Sequence, residues 1–129
     1  MTPGTRACVA CLAGRVALNV AAIGVRDLDR GIDHRIGGTI LGDRVGLYDY
    51  ERSSNFSGTL PNLRDAGVGA ELLLNVDGLE FGGCDVGSGR EFSGWVNDWN
   101  IHLVDDAESR VFVYTLLRLD PAPSAESGR

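Results

Sequence analysis

A chain of 129 residues is long enough for one ordinary domain and too short for two with separate cores. Its make-up, 43% apolar and 23% charged, excludes a disordered chain. The formal charge of −6 argues against a nucleic-acid or anionic-membrane partner, because phosphate affinity comes from excess Lys and Arg.

At the N-terminus, Ala7 to Ala13 is a short apolar run after Arg6, interrupted at Arg15. It falls short of the roughly 18 apolar residues of a membrane span, so no membrane span is expected. It also makes a poor apolar region for a secretory leader, and residues 1–15 are expected to be a loosely packed or disordered tail. The three cysteines, Cys8, Cys11 and Cys84, are too few for a disulfide framework and favour a cytoplasmic over a secreted setting. Cys8-x-x-Cys11 has the spacing of half a zinc site or a redox motif, but no second pair follows, and Cys84 reads as a small apolar filler.

From residue 16 the chain repeats. Val16–Val20, Ile36–Ile40, Phe56–Leu60, Leu72–Val76, Phe92–Val96 and Phe112–Leu116 begin 20 residues apart, except that the third copy is four residues short. Each begins and ends on an apolar residue, the period of a strand with one buried face. Where the middle residue is Gly38, Gly58 or Gly94, an aromatic such as Phe56 or Phe92 is expected to lie over the gap. Four turn residues follow, containing Gly42-Asp43, Asp77-Gly78 and Asn97-Asp98, which tolerate left-handed backbone. A second strand then runs Val25–Asp29, Val45–Asp49, Leu63–Asp65, Phe81–Asp85 and Ile101–Asp105, ending each time on aspartate.

The short third copy helps choose the topology. Removing two residues from each arm of an antiparallel hairpin keeps every side chain on its face, whereas the same deletion would disturb the stacking of a parallel solenoid. The expected fold is therefore all-β: an antiparallel meander of about 10 to 11 short strands over residues 16–119, closed as a barrel or folded as a two-sheet sandwich, with a parallel β-solenoid as the alternative. Pairing of Val16–Val20 with Phe112–Leu116 would close the barrel. Residues 120–129, rich in Pro, Ala and Ser, are expected to be a disordered tail.

The aspartates Asp29, Asp49, Asp65, Asp85 and Asp105 read as structural: a carboxylate at a strand end accepts hydrogen bonds from the backbone of the loop that follows. The competing reading is a row of carboxylates for Ca²⁺, for which Asp105, Asp106 and Glu108 are the best local group. No other cofactor is expected, and no catalytic residue is assigned. The two histidines, His34 and His102, form no Ser-His-Asp or Cys-His spacing, and no nucleotide-binding glycine loop or HExxH is present.

The aromatics Trp95, Trp99, Tyr48 and Tyr50 are the expected partner surface if exposed together. The functional expectation is a non-catalytic β-repeat module for protein interaction or self-association. The alternative is a ligand-binding domain, for carbohydrate with or without Ca²⁺ or for a small apolar molecule inside a barrel. An enzyme of unknown class is a second alternative. An interior filled by Phe56, Phe81, Phe92 and their neighbours would leave no room for the apolar ligand.

Overall fold

A computed structural model describes residues 1–118; the expected C-terminal tail, 120–129, lies outside the described residues. One helix, α1 (Pro3–Leu18), precedes ten strands: β1 (Gly24–Asp27), β2 (Ile32–Leu41), β3 (Arg44–Asp49), β4 (Ser54–Thr59), β5 (Asn62–Asp65), β6 (Ala70–Asp77), β7 (Glu80–Asp85), β8 (Glu91–Asn97), β9 (Asn100–Asp105) and β10 (Arg110–Leu117). Every strand pairs antiparallel with its neighbours in sequence, and β1 pairs with β10 to close a barrel. The meander is thus closed; it is neither a sandwich nor a solenoid.

The register is the same in each hairpin. The first apolar residue of one arm faces the terminal aspartate of the other: Ile36 opposite Asp49, Phe56 opposite Asp65, Leu72 opposite Asp85 and Phe92 opposite Asp105. The short third copy preserves this pairing with fewer rungs, as an even deletion must if the buried face is to stay buried.

Residues 3–18 depart from expectation. Val16–Val20 is not the first strand; Val16 to Leu18 are the last turn of α1, and Gly24–Asp27 closes the barrel instead. Nor is 1–15 a loose tail. Thr2 caps the helix, its Oγ1 accepting from the Thr5 amide at 3.2 Å, and Pro3 opens the first turn, where its missing N–H costs nothing. Asn19 ends it in the left-handed conformation, φ 54°, donating its N–H back to the last turn.

The helix runs through the barrel lumen. Thr5 to Gly14 are all buried, and Ala7 to Ala13 are fully inaccessible. A helix surrounded by sheet has no solvent face, so its apolar residues need not keep to one stripe. Most are small: Ala7, Cys8, Ala10, Cys11, Ala13 and Gly14. Even so, a methyl on Gly14 would sit 3.0 Å from Ile101 and 3.1 Å from Leu116. An eight-stranded barrel can be filled by its own side chains, and ten strands enclose more space than that. Here the helix and the inward Ile36, Leu47, Phe56, Leu74, Ile101 and Leu103 fill it together.

Two aromatics also cover glycines across the ladder. Phe92 lies opposite Gly83, and Phe81 opposite Gly94, where an added Cβ would meet each ring within 3 Å. No helix among the described residues is long and apolar enough to cross a membrane.

Burial sets the thiol chemistry. It pushes Cys11 from its ordinary 9.0 up to about 12, and it raises Cys8 further with help from the Asp49 carboxylate. Iodoacetamide at pH 8 is expected to alkylate Cys84, which is partly accessible, and to leave Cys8 and Cys11 unmodified until the chain is unfolded. Rapid labelling of either in the native protein would remove the helix from the lumen. Burial likewise raises Tyr114 to about 12. A group whose folded pKa lies above its unfolded value contributes stability that is complete below the unfolded pKa and lost as pH rises through the folded one. Urea unfolding midpoints should therefore decline between about pH 9 and pH 12.

Candidate functional site

The repeated aspartates gather around the barrel mouth where α1 begins. All of them share one task, and three of them add a second. Oδ1 accepts from the loop backbone: from Glu51 and Arg52 at Asp49, Gly67 at Asp65, Gly87 and Ser88 at Asp85, and Ala107 at Asp105, at 2.9 to 3.3 Å. In the first copy this role falls to Asp27, which accepts from Asp29 and Arg30. Asp29 lies two residues further on, half exposed, and pairs with Arg110 at 3.3 Å. The 20-residue spacing selects Asp29, but the shortened arm Val25-Arg26-Asp27 matches Leu63-Arg64-Asp65.

Oδ2 of three of these carboxylates turns inward onto the helix. Asp65 accepts from Thr5 Oγ1 at 2.5 Å and from Arg52 Nη1 at 3.0 Å. Asp49 accepts from Arg52 Nε at 2.6 Å and contacts the Cys8 thiol at 3.8 Å. Asp105 binds Arg6 Nη1 at 3.2 Å and the Met1 amino group at 3.1 Å. Burial by itself would lower the Arg52 pKa, but hydrogen bonds to Asp49 and Asp65 outweigh that and raise it. The carboxylates also face the positive end of the helix dipole, a favourable placement.

The cation candidates are therefore committed elsewhere or apart. Asp105 is buried against Arg6, while Asp106 and Glu108 stand exposed in the β9–β10 connection. Among the described residues no three His, Cys, Asp or Glu side chains converge as a cation site. His34 lies 2.9 Å from Glu51, and Cys8 and Cys11 are reduced and enclosed.

The four aromatics do not form one surface. Tyr48 and Tyr50 meet edge to face at 5.0 Å on β3 and just after it, with Arg35 over Tyr50. In a ring of ten strands β3 stands five strands from β8, on the opposite wall. Trp99 occupies the β8–β9 turn, partly buried, under the Arg118 guanidinium at 3.7 Å. Trp95 alone stands on the open outer face of β8, 42% exposed.

Around Trp95 the outer wall is unusually apolar. One cross-strand row reads Val113, His102, Trp95 and Glu80; the next reads Val111, Val104, Ser93 and Gly82. Trp95 and His102 stack at 4.8 Å with an interplanar angle of 8°. Val111 and Leu28 are nearly half exposed, and the Leu28 amide bonds to the Val113 carbonyl. Sequence reading named Trp95 but missed Val104, Val111 and Val113. Their signal was alternation failing: outward positions of β9 and β10 that a solvated face fills with polar residues.

The two kinds of aspartate predict different losses on truncation. Asp85 makes only its exposed turn bonds, so Asp85→Ala should cost about 0.5–1.5 kcal/mol in urea unfolding. Asp65→Ala should cost about 3 kcal/mol or more, because it also strips Thr5 and half of Arg52 of their buried acceptor. Equal losses would mean that the inward oxygens contribute nothing.

No protein-family model, curated protein or solved structure matches this chain.

Proposed function

We propose that this protein is a non-catalytic recognition module that binds a protein partner through the outer wall of β8, β9 and β10. The observation that carries the reading is the apolar outer face formed by Trp95, His102, Val104, Val111 and Val113, with Trp95 42% and Val111 43% exposed. Contiguous apolar surface that includes an exposed aromatic is the usual character of a protein contact, where Trp anchors dominate the energy.

Other routes to a ligand are narrowed by the fold. A closed barrel has no free edge to which a partner could add a strand, so recognition must use side chains. The helix stands where a small apolar ligand would otherwise sit.

A random peptide library displayed on phage and panned against the protein tests this reading. Selected peptides should bind the unaltered chain and lose about tenfold or more in affinity for Val111→Asp/Val113→Lys, the scale of removing a central apolar contact. Failure to select any peptide, or equal binding to the double variant, would overturn the reading.

A further inference from the structure

The Trp95 ring has one covered face and one open one. Its partner in the stack, His102, sits directly across the β8–β9 ladder, and their 4.8 Å separation equals the spacing between adjacent strands. Both rings therefore stand upright on the sheet with His102 against the β9 side of the indole. The other face of the indole looks toward β7.

There the sheet offers Glu80 directly across the ladder and, beside it, a gap where a side chain is missing. The outward position diagonal to Trp95 on β7 is Gly82, which has no side chain to lean on the ring, and across the ladder from Gly82 stands exposed Asn75 of β6. Directly opposite Trp95 is Glu80, and opposite Glu80 is Asp77. Asn75, Asp77, Glu80, Phe81 and Gly82 line an open cleft of about 350 Å³ on β6 and β7, and Glu80 joins it to Trp95 across the β7–β8 ladder. A glycine floor, two carboxylates at one end and an exposed indole on the adjoining strand describe a receptor for a flat cation.

The chain itself repeatedly pairs guanidinium with aromatic rings. Arg6 and Arg110 lie 4.0 and 4.4 Å from the centre of Phe112, and Arg118 lies 3.7 Å from that of Trp99. Among the described residues no such cation covers Trp95. We propose that the open face of Trp95 takes an arginine side chain of the protein partner, its guanidinium stacked on the indole and bonded to Glu80 and Asp77. This deepens the protein-binding reading and rests on it. A guanidinium suits the slot better than an ammonium: it is planar, stacks, and presents paired N–H groups to a carboxylate. The acidic balance of the chain adds attraction at long range.

With only two tryptophans, Trp99→Phe leaves Trp95 as the sole indole reporter. Titrated at low salt with N-acetyl-Arg-Arg-amide, its fluorescence should change saturably, with about tenfold weaker response to N-acetyl-Lys-Lys-amide and to the Glu80→Gln variant. In the unaltered chain, ¹⁵N NMR should show the Trp95 indole and Gly82 amide signals moving together while Tyr50, on the far wall, stays still. No saturable response, an equal response to the lysine peptide, or a response to a neutral disaccharide alone would each overturn the slot. The two readings fail separately. Panned peptides that bind the face without needing arginine would sink the slot and leave the protein-binding reading standing. A slot that binds arginine on a protein from which no peptide can be panned would do the reverse.

Discussion

Ten strands closed into a ring leave a lumen that has to be filled, and nearly everything else about this molecule follows from how that is done. A void of that size would forfeit both dispersion contacts and the burial of every inward side chain. Here the filler is a helix from the same chain, and it fits because its residues are small where the wall residues are large. The fit is tight: a methyl on Gly14 would press on the Ile101 and Leu116 side chains at 3.0 and 3.1 Å. The core is therefore made of two mutually dependent parts.

Polar contacts fix the helix along its axis. An apolar cylinder inside an apolar tube is free to slide or rotate at little cost, since hydrophobic contact is not directional. Thr5, Arg6, Cys8 and Arg52 remove that freedom by meeting Asp65, Asp105 and Asp49 at one mouth, and Arg15 reaches the Gly38 carbonyl at 3.1 Å toward the other. Buried ion pairs contribute little net stability after desolvation, but a misplaced helix would leave these charges unpaired. At Asp49, Asp65 and Asp105 the carboxylate thus ends its strand with one oxygen and registers the helix with the other. A plugged, edgeless barrel presents only its outer wall and loops to other molecules, which directs attention to the β8–β10 stretch of wall, where apolar side chains replace polar ones.

The antiparallel hairpins were legible because the evidence for them is local and repeats. Alternation within Phe92–Val96, turn residues at Asp77-Gly78, and a terminal aspartate that survives a four-residue deletion all depend on neighbours in sequence. The misreadings came where one copy departs from the period. Val16–Val20 imitates the spacing of the strands, while Val16 to Leu18 belong to a helix that begins at a proper cap, Thr2-Pro3. Counting by twenties likewise led to Asp29 when the two-residue shift to Asp27 was written in the likeness of Val25-Arg26-Asp27 to Leu63-Arg64-Asp65.

The sequence by itself determined the meander, its register and the aspartate at each bend, because strand period, turn chemistry and Asx hydrogen bonds are set by residues close together in the chain. Only the tertiary structure decided that Ala7–Ala13 lies inside the ring and that Trp95 stands apart from Tyr48 and Tyr50. Both depend on closure: the ring's circumference creates a lumen that demands a filler, and the order of strands around it sets which side chains share a wall. No short stretch of chain carries that information, since it belongs to the pairing of β1 with β10 across most of the described sequence.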